Sequence, residues 1–246
     1  MEVFTSDRNL ERFLQIKNTY LNQITNVFQH SAKIDGIVES DNLVKDLELF
    51  SLGALKKRSF IVSGISGAGK TTFGNIAQEN GYIKIPGVTT RKPRPEENNN
   101  DYIFVDENIF MDWVEKKEII IHRKINGVWH GILRDSVEKF SNSSELFFMD
   151  RGVACAIDLY RLSGSNAGIN LIYLFAPSIE ELYRRIKNRE ESRCEKFVGM
   201  SDEEILCRFE EEVVDISKTL LVNYLYFVND KISRIEKLFK NLPNSN

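Results

Sequence analysis

The chain has 246 residues, 42 % of them hydrophobic and 28 % charged, and a formal net charge of −3. This supplies enough apolar side chain for a core, in one large domain or one domain with an appendage, and it excludes the basic excess of a nucleic-acid or anionic-membrane binder. No stretch approaches the roughly 20 apolar residues of a membrane helix, and the acidic start MEVFTSDRNLERF does not read as a secretory leader.

Residues 1–56 read as a polar, helical extension. Leu10, Phe13, Leu14, Tyr20, Leu21, Ile24, Val27 and Phe28 recur at three- and four-residue steps and form one apolar stripe. Packing onto the rest of the chain would cover that stripe; a homo-oligomer or protein partner is the alternative. A weaker helix is expected at 41–50.

Residues 57–246 alternate short apolar runs with helical stretches, the βαβ pattern of a mainly parallel sheet. Strands are predicted at 59–63, 82–85, 102–105, 119–123, 145–149, 169–175 and 224–228. Helices are predicted at 70–79, 107–116, 133–140, 179–188, 202–217 and 231–241. Ser178 before Glu181 and Ser201 before Glu204 have capping-box spacing. Residues 95–101 and 163–168 read as loops by their turn-forming content. The three cysteines, Cys155, Cys194 and Cys207, lack C-x-x-C spacing and a histidine cluster, so they read as free thiols in a reducing, cytoplasmic compartment.

The run SFIVSGISGAGKTT carries the strongest chemical signal. Gly64, Gly69, Lys70 and Thr71 fit G-x-x-x-x-G-K-[ST], with an apolar strand before and a helical stretch after. In such a loop the amides around Ser66, Gly67, Ala68 and Gly69 turn inward on phosphate oxygens. Lys70 adds a mobile cation, Thr71 offers a hydroxyl to Mg²⁺, and Thr72 follows in the first helical turn. GTPases, motors and small-molecule kinases share this loop; the chain has no N-K-x-D guanine-reading motif.

The next segment, TTRKPRPEENNNDYIFV at 89–105, places Arg91 and Arg94 three apart in a proline-restricted loop, with Tyr102 opening a strand. Guanidinium forks grip phosphate bidentately, and a phenol adds a hydrogen bond. With the phosphate loop, this segment resembles guanylate kinase, whose pattern is T-T-R-x-P-R, an acid, then D-Y-x-F. The likeness continues through GVWHG at 127–131, a strand ending in Asp150, APSIEELYRRIKNR at 176–189 and FVND at 227–230. It covers about residues 57–242.

The resemblance implies an α/β P-loop kinase fold whose sheet is flanked by helices. A nucleoside-monophosphate-binding region would lie at about 87–132 and a lid at about 189–208. It implies ATP as donor, Mg²⁺ as cofactor and small nucleotides as partners. Arg91, Arg94 and Tyr102 would hold the acceptor's phosphate. Lys70, Arg189 and Arg208 would act on the group in flight, with Arg185 able to assist. Asp150 would touch the acceptor or hold Mg²⁺ through water.

Three positions depart from the family pattern. A hydroxyl residue four before the first arginine becomes Gly87. An acid in the strand before the Gly–Tyr segment becomes Ile121, unless a register slip gives Glu118 that role. Tyr-Gly-[Ser/Thr] becomes His130-Gly131-Ile132. His130 is either a phosphate donor or a strand-end histidine; Trp129 is either a base-stacking platform or core. The double-arginine TTRKPR loop and Tyr102 make GMP, dGMP or a related monophosphate the expected acceptor, whereas Ile121 and Ile132 favour a sugar. A phosphorylated sugar such as ribose 1,5-bisphosphate, and a non-catalytic binding module, are the alternatives.

Overall fold

The computed structural model describes residues 7–32, 58–93, 101–125, 127–142, 144–163, 169–193, 200–222, 224–240 and 242. The helix expected at 41–50, Arg94, Cys194 and most of the loops at 95–101 and 163–168 lie outside them. In chain order the elements are α1 (Asp7–Ala32), β1 (Phe60–Gly64), α2 (Lys70–Glu79), β2 (Ile83–Lys84), β3 (Gly87–Thr89), β4 (Tyr102–Phe104) and α3 (Glu107–Glu115). There follow β5 (Ile119–Ile125), β6 (Val128–Leu133), α4 (Arg134–Asn142), β7 (Phe147–Asp150), α5 (Val153–Ser163) and β8 (Asn170–Phe175). The last are α6 (Ile179–Arg193), α7 (Asp202–Val213), a 3₁₀ turn (Val214–Leu221), β9 (Tyr224–Val228) and α8 (Ile232–Lys240).

A five-stranded sheet has the order β2-β7-β1-β8-β9. β7 runs parallel to both β1 and β2, pairing Phe60 with Phe148 and Ile83 with Phe147. A four-stranded sheet has the order β4-β3-β6-β5, parallel between β3 and β4 and antiparallel elsewhere. The chain forms two compact units. One comprises Met1–Leu55, Ser63–Lys70 and Ile172–Ile235; the other comprises Lys56–Val62, Thr71–Leu171 and Glu236–Asn246.

In the first unit, α1 packs its stripe against its neighbours. Phe13, Ile16, Tyr20, Ile24 and Val27 are buried, while Leu10, Leu14 and Leu21 are 36–44 % exposed. The face is thus narrower than the sequence pattern suggests and includes Ile16. Phe13 meets Tyr183 of α6 edge-on, and Tyr20 donates to Ala176 O at 3.0 Å. Arg12 grips Glu210 of α7 through Nε at 2.9 Å and Nη2 at 2.8 Å, and Lys17 pairs with Glu180 at 2.6 Å. Pairs this exposed stabilise by at most about 1 kcal/mol each; the buried apolar face holds the helix down.

The core of the second unit is aromatic. Phe60 of β1 lies 5.0–6.0 Å from Phe73, Tyr82, Phe148 and Phe239. Such ring pairs add about 0.5–1.5 kcal/mol each beyond area burial. Under the smaller sheet a second cluster forms from Val88, Phe110 and Ile119, with Trp129 packed against it.

Three elements escape the sequence pattern. β3 is three residues and begins on glycine. β6 contains Gly131, which reads as turn. In α5, Ala154, Cys155 and Ala156 blur the apolar stripe and no side chain marks the start after Gly152. α7 ends at Val213 and tightens into the 3₁₀ turn, where one helix to residue 217 was expected. Its start has the full capping box, Ser201 and Glu204 bonding reciprocally. Among the described residues no helix is long and apolar enough to cross a membrane.

Candidate functional site

In the first unit the segment after β1 turns tightly. Ala68 N donates to Ile65 O at 3.0 Å, and Gly69 has φ +91°, a conformation open to glycine and costly for other residues. Asn229, after β9, is buried and buttresses the loop. Its Nδ2 donates to Ala68 O at 2.7 Å, and its own N donates to Phe175 O at 2.8 Å. Arg185 braces the same corner, donating to Asn229 O at 2.8 Å, Gly67 O at 3.4 Å and the Glu181 carboxylate at 2.8 Å. Arg185 is thus occupied with loop carbonyls.

A Cβ on Gly69 would stand 2.0 Å from Asn229 Nδ2. Gly69→Ala is expected to destabilise by about 1–3 kcal/mol through overpacking and strain. A thermal melt checks this: the midpoint should fall by several degrees. An unchanged midpoint would mean that loop and buttress yield freely.

Lys70 opens α2, and its Nζ donates to Gly64 O at 2.8 Å and Ile65 O at 3.3 Å. The ammonium therefore folds back over the mouth of the loop. Ser66 gives both its donors to Glu212 of α7: N to Oε2 at 2.6 Å and Oγ to Oε1 at 2.7 Å. Arg208 donates to the same Oε1 at 3.1 Å. Arg208 is thus tied to the loop through a carboxylate. Arg189 of α6 pairs with Glu190 at 2.9 Å on its own helix. The sequence motifs gave no signal for Glu212, which lies in the run EEE on a solvated-looking helix.

The second unit contains the other cluster. Thr89 is buried; its Oγ1 donates to Trp129 O at 3.0 Å and accepts from Arg91 N at 3.3 Å. Thr90 Oγ1 accepts from Trp129 N at 3.0 Å. The two threonines therefore clamp β6 and set the direction of Arg91. The Arg91 Cζ lies 5.4 Å from the Tyr102 ring centre and 5.6 Å from that of Phe104. His130 meets Tyr102 edge-on at 6.4 Å. Arg151, which no motif singled out, lies 5.5 Å from the same tyrosine ring. Arg91, Tyr102 and His130 are thus brought together.

Trp129 is core. It stacks on Phe110 at 5.8 Å and donates Nε1–H to Glu107 at 2.8 Å. That bond, together with Lys124, holds the Glu107 carboxyl below its usual range. Ile121 and Ile132 are cross-strand partners, 5 % and 0 % exposed, so the two altered positions meet as one apolar pair. Glu118 is exposed and precedes β5.

Asp150 ends β7, half-buried, paired in register with Val62. Thr71 is exposed and Thr72 half-buried in the first turn of α2. No group of three or more His, Cys, Asp or Glu side chains gathers as a metal cage among the described residues. Burial raises the Cys155 thiol, leaving it a poor nucleophile.

The family model described as guanylate kinase matches residues 56–214. A guanylate kinase of Wolbachia pipientis wMel is 29 % identical over 177 residues, covering 71 % of this chain and 83 % of that protein. A guanylate kinase of Ehrlichia ruminantium (strain Gardel) is 30 % identical over 197 residues, covering 75 % and 88 %. The solved guanylate kinase of Anaplasma phagocytophilum superposes with a TM-score of 0.56 at 23 % identity, covering 76 % of this chain and 85 % of that one. That last likeness concerns the fold alone.

Proposed function

Since the chain belongs to the guanylate kinase family and is a nucleoside monophosphate kinase, we propose that it moves the terminal phosphoryl group of ATP onto GMP or dGMP, giving the diphosphate and ADP. The observation that carries this reading is the Arg91, Tyr102 and His130 cluster, in a chain whose phosphate loop is intact. A guanidinium, a phenol and an imidazole at one place suit a phosphate dianion. A phosphorylated acceptor is already largely ionised at neutral pH, its second pKa being about 6. It is a ready nucleophile and needs no dedicated base.

The enzyme's task is then electrostatic. Loop amides from Ser66 to Lys70 and the Lys70 ammonium would hold the donor's phosphates. Arg208 and Arg189, from the lid region at about 189–208, would offset charge on the group in flight. The Thr71 hydroxyl, exposed at the start of α2, is a hard oxygen of the kind Mg²⁺ takes, with water and substrate phosphates completing its shell. When bound, Mg²⁺ would supply further neutralisation of the phosphate oxygens. Arg94 and Asp150 belong to the acceptor side in this reading, and residues 1–56 form an extension to the kinase domain. A reducing, cytoplasmic setting fits its free thiols.

Base recognition is where this chain would differ. The Ile121–Ile132 pair offers no acceptor to a guanine N1–N2 edge, so discrimination among bases should be weaker than a carboxylate would give.

A coupled ADP-release screen over nucleoside monophosphates and ribose phosphates tests the reading. GMP or dGMP should give the largest signal. A response confined to ribose phosphates would overturn it. Arg91→Ala should lower kcat/KM for the acceptor by roughly tenfold to a hundredfold, the loss of a charged hydrogen bond. ATP affinity should stay within about twofold. An equal loss of ATP affinity would show that Arg91 serves the donor.

A further inference from the structure

We infer that Arg151 is a further phosphate-gripping residue of the acceptor site, acting beside Arg91 near the Tyr102 ring. This rests on the proposed nucleotide kinase reading.

The placement of Arg151 is built into the second unit. Its backbone N donates to Val62 O at 3.0 Å, which anchors it at the end of β7. Its Nη1 donates to Asp150 O at 2.5 Å. The guanidinium then lies against Gly87: a Cβ there would stand 2.1 Å from Nη2 and 2.6 Å from Cζ. Only a glycine at 87 leaves room for this cation. Gly87 is the register partner of Tyr102, so the side chain arrives beside the phenol.

Two cations therefore lie near one ring, the Arg91 Cζ at 5.4 Å and the Arg151 Cζ at 5.5 Å from its centre. They are no more than about 11 Å apart and repel. Arg151 has no ion pair among the described residues, and its buried Nη2 has no hydrogen-bond partner. A guanidinium serving only as a structural pillar would have its N–H groups satisfied, because a buried unpaired donor is destabilising. An oxyanion between the two arginines removes both penalties. A small swing of the half-exposed side chain off Gly87 turns the unpaired Nη2 onto it. The acceptor's phosphate is the anion already assigned to Arg91 and Tyr102, and a second fork gives it bidentate contact from another direction.

The test compares wild type, Arg151→Gln and Arg151→Lys by calorimetric binding of GMP and of guanosine, by the acceptor's KM and kcat, and by thermal melting. Arg151→Gln should weaken GMP binding and raise its KM by tenfold or more, leave guanosine binding unchanged, and leave the melting point unchanged or higher. Arg151→Lys should recover part of the loss, since an ammonium keeps the charge without the fork. Unchanged GMP binding in Arg151→Gln overturns the inference. So does an equal loss for guanosine, which would place Arg151 on the base. A lowered melting point with GMP affinity retained would show a pillar and also overturn it. If wild type phosphorylates no monophosphate, the function reading itself fails; if it phosphorylates GMP and the Arg151 variants bind and phosphorylate GMP as wild type does, this inference fails alone.

Discussion

Lys70→Ala is expected to lower turnover by about 100- to 1,000-fold, the range seen when one preorganised charge-stabilising donor is removed from a reaction centre. The ammonium reaches Gly64 O and Ile65 O through a flexible stem, so alanine removes a movable cation and leaves the loop's turn, held by Asn229 and Arg185, in place. The melting point should therefore change little. Single-turnover kinetics with saturating ATP separate the effect on chemistry from the effect on binding. A variant that kept more than a tenth of wild-type turnover would mean that the lysine is not at the transferring phosphate.

Glu212→Gln is expected to act in the opposite direction on the donor. The Glu212 carboxylate takes the Ser66 amide and hydroxyl at 2.6 and 2.7 Å and the Arg208 guanidinium at 3.1 Å. These are donors that a triphosphate would claim, and the carboxylate would sit as a like charge beside it. Removing that charge should tighten ATP binding by roughly tenfold, about 1.4 kcal/mol, within the range of one charged hydrogen bond. Titration calorimetry with ATP alone measures this without any acceptor. Weaker ATP binding in Glu212→Gln would instead make Glu212 a support that shapes the loop. Lys70→Ala should lose turnover, whereas Glu212→Gln should gain ATP affinity.

Much of the fold was legible because its signals are local. β1, β8 and β9 are apolar runs bounded by turn residues, and α2 follows directly from the phosphate loop whose glycines demand their own backbone angles. The capping box at Ser201 and Glu204 needs only three-residue spacing to be read. β3 and β6 were illegible for the opposite reason. Gly87 and Gly131 weaken any strand pattern, and those strands exist because their partners pair with them. The α1 stripe was recognisable, yet its true centre shifted to Ile16 because the covering elements decide which edge of an apolar face is wetted.

The candidate site divides in the same way. Residue type and spacing along the chain suffice to pick out Gly64, Gly69, Lys70 and Thr71, because the motif is short and its chemistry depends on neighbours in sequence; the expectation that Arg91, Arg94 and Tyr102 act together comes from their segment and its family resemblance. Asn229 under the loop, Glu212 on Ser66, Arg151 over Gly87, and the Ile121–Ile132 pairing were decided only in three dimensions. Each joins residues 11 to 161 positions apart, as with Asn229 and Ala68 at the far end of that range. A hydrogen bond or close contact across such a separation depends on how the whole chain closes, and no local pattern of side chains carries that information.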